Sequence, residues 1–169
     1  KVMVSGGVAS PYDPIDNKQY STEELMAIVE EASAWNTYVA AHSYTPRSSQ
    51  HAVECGVRTI EHGNLIDIET ANAMAKNNAF LVPTLITYDA MDRNGAALGL
   101  PQASIHKLQK VKDEGFNAVS LCREAGVKVG FGTDLLGGLQ SEQSVGFRTQ
   151  NEVDSNRDVL VSATSVNAE

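Results

Sequence analysis

Lys1, His42, His62 and Asp134 are far apart in the chain, yet each sits at the edge of a short apolar run. His42 ends the run 37–41. His62 follows the run 57–60 in Glu61-His62-Gly63, and Asp134 closes Gly132-Thr133-Asp134 after the run 127–131. Lys1 opens the run that continues through 2–4. Neutral imidazole and carboxylate are ligands that zinc and similar divalent ions take. One histidine at a strand end is usually a hydrogen-bonding residue. Two ending consecutive runs, with an aspartate ending a later one, are better explained by a shared metal site. Lys1 is a different case. An ammonium is no metal ligand, and a lysine in a strand buried on both faces is costly. Carboxylation by CO₂ would turn it into a carbamate anion able to bridge two metals. The plainer alternative is that Lys1 is simply the first residue of a truncated chain.

These ends meet only if the runs are strands of one sheet, and the intervening sequence supplies the units that would arrange this. Ser21 with Glu24 has the capping-box pattern, and Leu25, Met26, Ile28, Val29 and Ala32 follow at helical spacing. Pro46 opens a helix running to about Cys55, with Gly56 as its stop. Asp67 caps a helix through Met74 and Ala75, and 79–82 is a strand ending at Pro83-Thr84. Residues 85–100 have no clear period and suit a lid or specificity loop. A helix over about 103–125 stops at Gly126, and a final helical region carries Val145, Phe147, Val153 and the stretch 159–163. Short apolar strands alternating with amphipathic helices predict an α/β fold with a parallel sheet and right-handed crossovers.

The chain's 169 residues in five βα units average about 34 each. Eight units would need roughly 270, the usual size of a (β/α)8 TIM barrel, so the expectation is strands 4 to 8 of such a barrel. An open doubly wound sheet is the competing architecture, and it lacks the expected strand-linked G-x-G-x-x-G loop. In a barrel the strand C-termini carry the active site, which puts the four residues at one mouth. Starting inside a strand and ending in a helical pattern, the chain reads as part of a longer polypeptide.

A net charge of −8 argues against a nucleic-acid or anionic-membrane partner. No apolar run approaches the ~20 residues of a membrane span. Cys55 and Cys122 have no second cysteine at zinc-ribbon spacing and read as ordinary partly buried thiols.

Lys1-Val2-Met3-Val4-Ser5-Gly6-Gly7, Ala41-His42-Ser43-Tyr44-Thr45-Pro46, Gly56-Val57-Arg58-Thr59-Ile60-Glu61-His62-Gly63 and Gly132-Thr133-Asp134 occur in this order over nearly the whole chain. This set resembles the amidohydrolase superfamily, and within it the imidazolonepropionase-related group that includes Xaa-Pro dipeptidases and carboxypeptidases. The resemblance implies a carboxylated Lys1 bridging two zinc ions, with His42 and His62 holding the second metal. It makes Asp134 a ligand of the first metal and the proton shuttle. The implied reaction is attack of a zinc-activated hydroxide on the amide carbonyl of a dipeptide or N-acyl amino acid. The first-strand His-x-His of the family, its first three strands and its flanking β-sandwich are absent from residues 1–169. The resemblance also implies a homo-oligomer.

Around this core the residues leave alternatives open. Tyr44, two residues past His42 on an extended segment, faces the same side and could hydrogen-bond a substrate carboxylate or carbonyl, or pack at the barrel rim. Arg47, at a helix start, could pair with a substrate carboxylate or form a surface salt bridge. Ser5, Gly6 and Gly7 would let a ligand approach the backbone closely. His51 and His106 read as surface residues. Competing functions are a cyclic-amide or ester hydrolase, a mononuclear site with unmodified Lys1, and a non-catalytic barrel fragment.

Overall fold

The computed structural model describes residues 1–95, 97 and 99–169. Five parallel strands lie side by side in chain order: β1 (Val2–Met3), β2 (Ala40–Ser43), β3 (Thr59–His62), β4 (Phe80–Val82) and β5 (Lys128–Val129). The sheet is open. Helices α1 (Thr22–Ala34), α2 (Pro46–Glu54), α3 (Ile68–Lys76), α4 (Leu85–Asn94), α5 (Gln102–Val111) and α6 (Glu114–Glu124) occupy the crossovers. After β5 come a 3₁₀ turn (Gly137–Glu142), α7 (Val145–Gln150), α8 (Asn156–Val161) and a π turn (Ser162–Val166). The sequential order and shared direction are those expected for consecutive barrel strands. No described helix is long and apolar enough to cross a membrane.

Each crossover returns to the sheet by the same local device. Helices α1, α2, α3 and α6 are followed by a left-handed residue: Asn36, Gly56, Asn78 and Gly126. In each case that residue's N–H bonds three residues back and the next N–H bonds five back, for example Gly56 N–H to Val53 O and Val57 N–H to Ala52 O, both 3.1 Å. This Schellman arrangement satisfies the free helix carbonyls and aims the chain into a strand. It also uses the residues that the apolar pattern assigns to the strand starts. The strands therefore begin later than expected, at Ala40 rather than 37 and at Thr59 rather than 57.

The main core is sandwiched between sheet and helices, with Val4, Leu25, Ala41, Ile60, Met74, Leu81, Val119 and Val129 fully enclosed. At the N-terminus of α1, Ser21 Oγ accepts from Glu24 N–H at 3.2 Å and the Glu24 carboxylate accepts from Ser21 N–H at 2.8 Å. The expected capping box is present.

Two expectations are corrected. The part of 85–100 up to Asn94 is helix α4, not loop; the remainder includes residues 96 and 98, which lie outside the described residues. Helix α4 lacks a visible period because it is enclosed on most sides: Leu85, Ile86, Thr87, Tyr88, Ala90 and Met91 are all buried. The single helix expected over 103–125 is broken into α5 and α6. Asn64, from the segment after β3, donates to the carbonyl of Val111 at 2.9 Å and sits where a side chain on Gly115 would have to go. A side chain distant in sequence thus captures a carbonyl that would otherwise continue the helix.

Candidate active site

The C-terminal ends of β1, β2 and β3 and the segment after β5 open onto a cleft of about 320 Å³. Lys1, His42, Tyr44, His62 and Asp134 all line it. The fold therefore brings together five of the six residues singled out in the sequence. Arg47 is not among them. The extended chain that aligns Tyr44 with His42 ends at Thr45, which caps α2, so Arg47 falls on the exposed first turn of that helix. Its position does not support the expected contact with a substrate carboxylate.

His42 and His62 reach the cleft by different means. The strand register pairs His42 with Glu61 and Ser43 with His62. Alternation would therefore place His62 on the side of Ser43. Ser43 is turned toward α2, where its hydroxyl lies 2.6 Å and 2.9 Å from those of Ser48 and Ser49. The backbone of His62 is instead left-handed, with φ of 75°, and its ring lies 4.5 Å from that of His42. Asp134 is also left-handed, with φ of 47°. Such conformations in non-glycine residues cost of order 1–3 kcal/mol and cluster at functional sites. Gly63 continues the bend at φ of 63°, and a methyl group there would come within 2.6 Å of Ile66 and Leu81.

Each imidazole has one nitrogen committed. His42 Nε2 is 3.2 Å from the carbonyl of Gly6. A carbonyl only accepts, so this bond puts the hydrogen on Nε2 and leaves the lone pair on Nδ1. His62 Nδ1 is 2.6 Å from Thr84 Oγ1. His62 Nε2 lies 3.9 Å from Asp134 Oδ2, too long for a hydrogen bond. Burial lowers the pKa of both histidines, and the positive charge of Lys1 lowers it further. For His62 the shift is large, with His42 adding to it; for His42 the Gly6 carbonyl and Asp134 oppose it. Both rings are neutral at pH 7, so the His62–Asp134 approach is not an ion pair.

Tyr44 stacks on His62 with ring centroids 5.2 Å apart, and Tyr88 donates to its hydroxyl at 3.1 Å. Burial, aided by Asp134, keeps the Tyr44 phenol protonated. Thr87 on α4 donates to the backbone carbonyl of Asp134 at 3.0 Å and anchors the turn after β5.

The cleft wall is the loop from β1 to α1, contributed by Gly7, Val8, Ala9, Ser10 and Asp13. Lys107 on α5 points its ammonium at three carbonyls of this loop, those of Gly7 (3.1 Å), Ser10 (2.7 Å) and Asp13. Ser104 adds a bond to Ala9 O at 3.1 Å. Within the loop, a Cβ on Gly6 would collide with the carbonyl of Pro14, so only glycine allows this close approach.

Thr84, Tyr88, Ser104 and Lys107 were not singled out in the sequence. Thr84 had a usable signal, since it ends the fourth strand as the histidines end theirs. Tyr88 had none, because the helix that carries it shows no period.

Two neutral imidazoles and a carboxylate are the donor chemistry of a zinc-type site. A metal-bound histidine also normally donates its second N–H to a neighbour, as the bonds to Gly6 and Thr84 allow here. Among the described residues no three His, Cys, Asp or Glu side chains stand close enough to hold an ion by themselves. The donors fit in kind, and they form part of a site.

The amidohydrolase family model matches residues 1–166. The chain is 35% identical over 139 residues to the ochratoxinase of Aspergillus niger, covering 82% of this chain and 28% of that protein. It superposes on a crystal structure of a prolidase complexed with N-methylphosphonate-L-proline with a TM-score of 0.97 and 54% identity, over 99% of this chain and 41% of that one. A second solved chain, described as an amidohydrolase, gives 0.96 and 54% over 98% and 40%. This chain thus spans well under half the length of each of these relatives. The five-stranded sheet is part of the barrel that its structural neighbours carry.

Proposed function

Since this chain belongs to the amidohydrolase family, we propose that it carries part of the active site of a metal-dependent hydrolase that cleaves a C–N amide bond in a dipeptide or N-acyl amino acid. The observation that carries this reading is the shared cleft. Two neutral histidines, a carboxylate and a phenol donor converge there at the strand ends. The resemblance to a prolidase solved with a proline phosphonate supports an Xaa-Pro dipeptide as the substrate. The match to an ochratoxinase supports a hydrolase reading that is not confined to Xaa-Pro dipeptides.

In this reading His42, through Nδ1, and His62, through Nε2, hold a divalent ion. Asp134 and a carboxylated Lys1 would contribute to a second ion. Zinc suits these donors. Such ions, when bound, polarise the scissile carbonyl and make water acidic enough to act as a nucleophile at neutral pH. The chain's own residues do the rest. The Asp134 carboxylate accepts a proton from the attacking water and returns it to the leaving nitrogen. The Tyr44 hydroxyl donates to an oxygen of the substrate. The loop held by Lys107 closes one side of the cleft. The complete protein is proposed to assemble as a homo-oligomer.

The test, made on the complete protein of which this chain carries part of the site, pairs metal content, before and after chelation, with release of free amino acid from Xaa-Pro dipeptides and N-acyl amino acids. Hydrolysis that tracks metal content supports the reading. A protein that retains zinc yet hydrolyses none of these amides overturns it and favours a binding role for the barrel.

A further inference from the structure

The hydroxyls behind the cleft form a chain that runs in one direction. His62 Nδ1 meets Thr84 Oγ1 at 2.6 Å, Thr84 Oγ1 donates to Tyr88 Oη at 3.5 Å, and Tyr88 Oη donates to Tyr44 Oη at 3.1 Å. All four side chains are buried, Tyr88 completely. Each hydroxyl has one proton to give. Tyr88 gives its proton to Tyr44, and Thr84 gives its proton to Tyr88. Thr84 can then only accept from His62, so the hydrogen of that imidazole sits on Nδ1 and its lone pair on Nε2. At the other end the Tyr44 proton is not consumed by the chain.

We propose that Thr84 and Tyr88 are positioning residues that tie His62 and Tyr44 into one directional hydrogen-bond chain, which turns the His62 Nε2 lone pair and the Tyr44 hydroxyl proton toward the same cleft. The chain serves two tasks at once, an electron-pair donor for a metal and a proton donor for a substrate oxygen. The ligand it selects is a metal-chelating group with a hydrogen-bond acceptor beside it, such as the carbonyl or carboxylate oxygen of an amide substrate. Tyr88 touches neither metal nor substrate and acts only through Thr84 and Tyr44.

The role of this chain in catalysis rests on the proposed hydrolase reading, but its direction can be read without substrate or metal. The ¹⁵N shifts of the His62 ring, taken on metal-free protein at one neutral pH, report which nitrogen carries the hydrogen. The expected wild-type result is the Nδ1–H form. Thr84→Ser retains it, whereas Thr84→Val, with no acceptor, loses it. Tyr88→Phe keeps the ring that packs edge-on against His62 at 6.2 Å, but it frees the Thr84 proton to point at Nδ1. It should therefore produce a mixture of the two tautomers although it changes no group bonded to His62. A wild-type Nε2–H form overturns the proposal, as does a His62 tautomer unmoved by both Thr84→Val and Tyr88→Phe. Zinc affinity by chelator competition is the second readout: about 10- to 100-fold weaker in Thr84→Val and restored in Thr84→Ser. A protein that binds no zinc at all would sink the hydrolase reading, and the tautomer result would still decide this one.

Discussion

His62 and Asp134 face each other across 3.9 Å, and both hold left-handed backbones, at φ of 75° and 47°. For His62 the unusual torsion sits at the end of β3, and for Asp134 it sits in the segment that follows β5. For His62 it does what strand alternation alone would not, since the register places an extended residue 62 on the helix side with Ser43.

This separates the backbone role of His62 from its imidazole. Asparagine tolerates the left-handed region and valine does not. His62→Asn and His62→Val should both lose hydrolysis, and the valine variant should be the less stable of the two by ~1–2 kcal/mol. Urea denaturation of both variants checks the difference. Equal stabilities would mean that the torsion carries no strain.

Asp134→Asn keeps a side chain of the same size that accepts the same torsion, but removes the group that carries the proton. The expected result is an unchanged fold with kcat lower by about 10²- to 10⁴-fold. A variant retaining a tenth or more of wild-type turnover would remove Asp134 from the proton path.

Arg123 grips Asp154 through two bonds, Nε to Oδ1 at 3.0 Å and a terminal nitrogen to Oδ2 at 2.8 Å, and it also donates to Ser162 at 2.9 Å. Asp154 is almost fully buried. Arg123→Ala leaves that carboxylate without its charge partner, and a loss of about 3 kcal/mol is expected in chemical denaturation. A loss under about 1 kcal/mol would place this pair with ordinary surface contacts.

Burial pushes the Cys122 thiol up to about 12, and none of its surface is exposed. Titration of the native protein with an aromatic disulfide should leave Cys122 silent, with its reaction appearing only on unfolding. Rapid native labelling, located by peptide mapping, would show that α6 opens readily.

Lys107→Met removes a cation held by three carbonyls and keeps most of the aliphatic stem. Residues 7–13 should then become the first site of limited proteolysis, with the global unfolding midpoint little changed. An unaltered cleavage pattern would show that Ser104 and the turn at Gly6 hold the loop without help.

Much of this arrangement was legible in the sequence because strand ends and helix stops are local signals. Gly56 and Gly126 mark their helices' ends by type. Asn36 and Asn78 play the same part, but asparagine occurs in many settings, so those two ends were silent. His42 and Tyr44 were placed correctly on one side by simple alternation. His62 reached the cleft through a torsion that no spacing rule supplies. The break between α5 and α6 depends on Asn64, about 50 residues earlier in the chain, and such a cause leaves no trace in the local pattern. Helix α4 was missed because burial on most sides erases the amphipathic period from which helices are read. Arg47 was read at its helix start, where the structure has it, but no local signal tells which way that first turn faces.

Asn167, just beyond the π turn, lies against the end of β5. Its side-chain oxygen accepts from Phe131 N–H at 3.0 Å, and its side-chain nitrogen donates to Phe131 O at 2.8 Å. One amide thus imitates a residue of a neighbouring strand on the sheet's outer rim. Any further strand pairing at Phe131 must first expel that amide, so extending the sheet there is an exchange of partners rather than a simple addition.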